Sequence, residues 1–178
     1  MTGGLAGSET DPARRPSRMS EENMQEALTA LLVHSAEEPL AAVRKVLERL
    51  SVRTIRAQTC EEASRILQSR ATPQLVFTDT MLPDGNWERL LDVTGKASEF
   101  VNVIVVSAAA DISLYVEVVE RGAWDFMAPP FAEAEVAHVV RCGVENVEKR
   151  RKALARLYED FDGAGPHEIR AVWTGWGL

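Results

Sequence analysis

Residues 73–91 read PQLVFTDTMLPDGNWERLL, and the fold is decided by how this stretch is divided. Leu75, Val76 and Phe77 follow one another without a polar break, which fits a strand covered on both faces; a strand with one wet face would alternate. Asp79 stands where that strand ends. Pro83-Asp84-Gly85-Asn86 then supplies the residue types that stop a strand and turn the chain, and WERLL opens a segment with helical apolar spacing.

The same alternation extends in both directions. Before the central strand come ALTALLV, PLAAVRKVLERL, VRTIRAQ and EEASRILQS, which read in turn as strand, helix, strand and helix. After it come WERLLDVTG, VNVIVVS, ISLYVEVVERG, WDFMA and a long final segment, residues 132–160. The pattern predicts five strands and five helices. Thr59 with Glu62 three residues on marks a helix start, Asp111 another, and Gly122 a helix end. The apolar residues at Leu75 to Phe77 and Val101 to Val106 predict a parallel sheet with helices on both faces, a doubly wound α/β architecture. Functional groups in such sheets gather at the carboxyl ends of the strands, which directs attention to His34, Ser35, Asp79, Ser107 and Pro129.

Composition limits the function classes. With 178 residues, 46% of them hydrophobic, the chain supports one ordinary domain and additional segments. Residues 1–26 are poor in large apolar groups and read as a flexible tail. Residues 27–148 form the domain, and residues 149–178 a helix extension and tail. A formal net charge of −7 opposes general attraction to nucleic acid. Cys60 and Cys142 lack metal-ligand or redox spacing, so neither a disulfide nor a zinc site is expected. No apolar run approaches the roughly 20 residues of a membrane span. The expectation is a soluble, cytoplasmic protein with neither a nucleic-acid nor a membrane partner.

With Asp79 at a strand end, Ser107 closing the next strand, Phe126 in the last one, and Pro130-Phe131 after it, residues 27 to 148 resemble the receiver domains of two-component response regulators. The resemblance implies a flavodoxin-like (βα)5 fold with strand order 2-1-3-4-5 and an extended C-terminal helix. It implies that Asp79 is the phosphoacceptor position, served by a histidine kinase, that Ser107 hydrogen-bonds a phosphoryl oxygen and that Phe126 is the switch aromatic. The family places an acidic pair for Mg²⁺ after the first strand and a lysine after the fifth. Here His34 and Ser35 stand at the acidic-pair positions and Pro129 at the lysine position.

Those replacements bear on chemistry, because a carboxylate is a weak nucleophile and needs cations to neutralise the transferring phosphoryl group. Mg²⁺ favours oxygen donors and is usually held by carboxylates, and proline offers neither a charge nor an N–H. Glu37 or Glu38, three or four residues beyond the strand end, could turn back to provide a carboxylate. His34, Asp79 and Ser107 do not make a hydrolase, which needs an oxyanion hole, nor a transition-metal site, which needs three or four ligands. The reading is a non-enzymatic binding module, an atypical receiver acting through protein contacts with a kinase or a downstream effector. Its alternative is a conventional receiver phosphorylated on Asp79.

In the final helix, Val140, Val144, Val147, Arg151, Leu154 and Tyr158 recur at coiled-coil steps broken by an arginine, so a homodimer through this helix is one expectation and a helix covering its own domain the other. Lys149 to Lys152 is a short basic run. His138 and His167 fit no constellation. Trp173 and Trp176, in a glycine-rich tail, are candidate anchors for a partner surface or for the domain itself.

Overall fold

The computed structural model describes residues 28–36, 38–69 and 72–160, the last three as backbone only. Strands and helices follow in the order β1 Thr29–Val33, α1 Leu40–Arg49, β2 Arg53–Ala57, α2 Cys60–Leu67, β3 Leu75–Asp79, β4 Met81–Leu82, β5 Gly85–Asn86, α3 Trp87–Gly95, β6 Asn102–Val106, α4 Ile112–Glu120, β7 Asp125–Met127 and α5 Glu133–Asp160. The main sheet has five strands in the order β2-β1-β3-β6-β7, all parallel. This is the expected 2-1-3-4-5 arrangement. The added numbers come from β4 and β5, two-residue strands that pair antiparallel within the loop after Asp79.

The central strands are apolar along most of their length because each serves two cores. Leu32, Phe77 and Ile104 pack with Val43, Leu47, Val136 and Val140 under α1 and α5. Their alternating neighbours Leu31, Val76 and Val103 pack with Ala63, Leu67 and Leu90 under α2 and α3. A period of two thus distributes one apolar run between two helical layers. A third, smaller cluster joins Trp87, Val105, Val118 and Ala123 beneath α4.

Local chemistry sets the element ends. Thr59 accepts from the Glu62 N–H at 3.1 Å, Asn86 from Arg89 at 3.1 Å, and Asp111 from Ser113 at 2.9 Å, so three helices begin on side-chain caps. Glu62 reaches back to the Gln58 N–H at 2.8 Å. Gly122, at φ 87°, ends α4 with its N–H on Val119 and the Ala123 N–H on Val118, a Schellman closure. The same closure ends α1, but there the left-handed residue is Ser51, at φ 59°.

Helix α5 is 28 residues long, about 42 Å at 1.5 Å per residue. Gly143 lets it approach the sheet closely: a Cβ there would lie 2.9 Å from Leu75 Cδ2 and 3.2 Å from Trp124 Nε1. Asn102, buried at the start of β6, donates to the Gly143 carbonyl at 2.9 Å and to Asn146 Oδ1 at 3.2 Å. The reading of Arg151 as a break in a coiled-coil seam is corrected here. Its guanidinium donates to the carbonyls of Phe100, Thr72 and Pro73 and pairs with Glu99 at 2.6 Å. Val140, Val147 and Arg151 therefore face the chain's own sheet. Arg150 lies 4.3 Å from the centre of the Phe100 ring and Lys152 pairs with Glu148 at 3.7 Å, so three of the four residues in the basic run have partners within this chain.

Candidate site at the carboxyl edge of the sheet

The parallel register brings the expected residues to one edge. Val33 pairs with Thr78, Asp79 with Val106, and Val106 with Met127, so His34, Asp79 and Ser107 leave neighbouring strands at nearly the same level. Asp79 is half-buried. Its Oδ1 accepts from the Thr80 N–H at 2.7 Å and lies 3.4 Å from the Thr80 hydroxyl. Ser107 donates its N–H to Met127 at 2.9 Å, while its Oγ accepts from the Ala109 N–H at 3.3 Å. That turn leaves the hydroxyl proton for another acceptor.

His34 is only 4% exposed, and its backbone N–H continues the ladder to the Ala57 carbonyl at 3.0 Å. Its Nδ1 contacts the Ala36 carbonyl oxygen. A carbonyl can only accept, so Nδ1 is the donor in that contact. Ser35 is exposed, as is Pro129, which is joined to Pro130 by a cis peptide. Glu38 is exposed, whereas Glu37 lies outside the described residues. Among the described residues, no three His, Cys, Asp or Glu side chains are placed to share a metal ion.

In the sequence Asp84 is simply one residue of the Pro83-Asp84-Gly85-Asn86 turn. In the fold its carboxylate spans to the next helix, accepting from the Cys60 N–H at 2.8 Å and the Glu61 N–H at 3.1 Å. Partial desolvation raises the Asp84 pKa, but these N–H donors and nearby Arg89 outweigh it and leave the carboxyl below its ordinary value. Beneath this strut the Cys60 thiol is pushed up to about 11, first by burial and then by the Asp84 charge. The loop following Asp79 is thereby held against α2.

Phe126, half-buried in β7, meets Tyr115 of α4 edge-on, with ring centres 6.1 Å apart and planes at 72°. Tyr115 belongs to a stripe on α4 that its own domain leaves uncovered: Ile112 is 83% exposed, Tyr115 47%, and Val116 and Val119 each 45%. Spacing of three and four residues puts all four on one helix face. The signal was present in ISLYVEVVE, but apolar periodicity does not tell a covered face from a bare one. His138 is exposed on α5 beside Arg141 and Cys142, away from this edge. His167, Trp173 and Trp176 lie outside the described residues. No helix among those described is long and apolar enough to cross a membrane.

The model of the response regulator receiver domain matches residues 30–141. This chain belongs to that family and contains a receiver domain of two-component signalling. Among curated relatives it is 33% identical, over 61% of its own length and 46% of the relative's, to the "Probable transcriptional regulator ycf27" of Porphyridium aerugineum. It is 24% identical to the DNA-binding transcriptional regulator NtrC of Escherichia coli, over 63% of this chain and 24% of that one. The chain thus spans less than half the length of these relatives. Among solved structures, NtrX from Brucella abortus is 26% identical with a TM-score of 0.61, over 74% of this chain and 29% of that one. The HemR receiver domain from Leptospira biflexa is 27% identical with a TM-score of 0.53, over 65% and 93% respectively.

Proposed function

We propose that this receiver signals by protein contact, through the face formed by α4, β7 and α5, with phosphoryl transfer to Asp79 slow or absent. The observation that carries this reading is the identity of the three positions around Asp79, where His34, Ser35 and Pro129 stand in place of two acids and a lysine. Asp79 occupies the phosphoacceptor position, Ser107 that of the phosphoryl hydrogen-bond donor and Phe126 that of the switch aromatic. The donors present do not fit the usual Mg²⁺ set. One carboxylate, a serine and a histidine whose Nδ1 already faces a carbonyl make a poor cage for an ion that prefers oxygen donors and strict octahedral geometry. The bare stripe on α4 supports contact as the output, since contiguous apolar groups rimmed by polar ones mark interaction surfaces. The partner is a signalling protein, either a histidine kinase or a downstream effector, and the domain itself acts without catalysis.

Acetyl phosphate with Mg²⁺, followed by intact mass, tests the chemical half of the reading. The natural chain is expected to stay unmodified. Combining His34→Asp, Ser35→Asp and Pro129→Lys is expected to raise labelling of Asp79 by about two orders of magnitude or more, because transition-state charge regains its counter-ions. Prompt labelling of the unaltered chain overturns the proposal. The placement of Asp79 and Ser107 on adjoining strands favours the second reading, an ordinary phosphoacceptor, and the same experiment decides between them. A homodimer through α5 is a weaker proposal, because that helix directs Val140, Val144, Val147 and Arg151 onto its own domain, leaving Leu154 as the remaining seam position whose side chain is described.

A further inference from the structure

Resting on the reading of the α4 face as the contact surface, we infer that residues 170–176 of this same chain, Arg-Ala-Val-Trp-Thr-Gly-Trp, dock on that face and compete with its outside partners. Ile112, Tyr115, Val116 and Val119 are between 45% and 83% exposed. Four large apolar groups on one face of a nine-residue helix favour an apolar cover.

Chemistry selects the occupant. Residues 1–27 contain no aromatic side chain, whereas residues 161–178 contain Val172, Trp173 and Trp176. Tryptophan buries a large area with little loss of rotamer freedom and dominates many contact surfaces. Charge agrees: exposed Glu117 and Glu120 lie on α4 beside the stripe, and Arg170 precedes Trp173 by three residues. Arg121 at the end of α4 is already paired with Glu88 at 2.7 Å, so it leaves the acidic flank to another cation.

The distances allow the return. Arg151 fixes α5 against the amino-end loops of β3 and β6, and the helix runs to Asp160, about 13 Å farther at 1.5 Å per residue. The 13 residues from Asp160 to Trp173 can span roughly 43 Å when extended. That exceeds the projection of α5 and the length of α4, also about 13 Å, taken together. Docking would make the output face conditional: a partner must displace the tryptophans, and its apparent affinity falls by the fraction of time the face is closed.

The test uses the full chain at a concentration where sedimentation gives a single monomer. Hydrogen exchange of the α4 amides is compared with that of the Trp173→Ala/Trp176→Ala variant, whose substitutions lie outside the residues of the core clusters. Exchange about tenfold faster in the variant is expected. As an independent measurement, Val116→Asp is expected to shift the indole N–H resonances of Trp173 and Trp176, with Arg65→Ala leaving them in place. Unchanged exchange and unmoved indoles overturn the proposal. So do shifts that appear only as concentration rises, since a second copy would then be the occupant. If Val116→Asp abolishes binding of a partner while α4 exchange ignores the tryptophans, the tail docking fails and the contact-surface reading stands. The opposite pair of results removes the contact-surface reading alone.

Discussion

Ser51 sits at φ 59°, a backbone conformation that costs a side-chain-bearing residue roughly 1 kcal/mol and a glycine almost nothing. Its side chain is exposed, so Ser51→Gly is expected to raise stability by about 1 kcal/mol, read as a higher urea midpoint at unchanged slope. Cys60 makes a pH prediction. Its folded pKa, about 11, lies above the ordinary 9.0, so the folded state retains the thiol proton after the unfolded chain has lost it. The resulting stability is complete below pH 9 and is lost as pH rises toward 11. Cys60→Ala is expected to flatten that alkaline decline in a series of denaturant midpoints; an equally steep decline would remove Cys60 as its source. At this scale the caps at Thr59 and Asp111 were legible because each side chain meets an N–H two or three residues away. Asp84 was not, because its partners are Cys60 and Glu61, brought near only by the tertiary fold.

Among the elements, the last helix separates periodicity from environment most clearly. Steps of four and three residues identify one face of α5, and that face packs on the sheet through Val136, Val140 and Val147. The same steps made Arg151 look like a defect, since periodicity reports which side a residue occupies and not what it meets there. It meets three backbone carbonyls at the amino ends of β3 and β6. Hydrogen bonds from a charged donor to partly buried carbonyls are worth more than an exposed ion pair, so the Glu99 partner matters less than the carbonyls. Arg151→Ala is expected to cost about 2 kcal/mol, with Arg151→Lys recovering only part of it because an ammonium lacks the planar fork. Chemical denaturation of the full chain checks both variants, and a neutral Arg151→Ala would show that the clamp holds nothing.

For the whole molecule, the alternation of apolar strands and amphipathic helices was enough to specify the layers and, with the family resemblance, the strand order. The strand-end residues were legible because a parallel sheet sends all its carboxyl ends to one edge. What surrounds them was not: burial of His34 depends on β1 lying between β2 and β3, and the bareness of α4 depends on which faces the other helices cover. The proposed function requires that His34, Ser35 and Pro129 leave Asp79 without the counter-ions that hold a phosphoryl group. Trp87, buried at the start of α3 with its backbone N–H on the Thr80 carbonyl at 3.3 Å, is a reporter beside Asp79, its signal isolated by comparison with Trp87→Phe. Titration of the full chain with Mg²⁺ and beryllofluoride tests this: no saturable change in Trp87 fluorescence is predicted, whereas a saturable change abolished by Asp79→Asn would show that Asp79 holds a phosphoryl group after all.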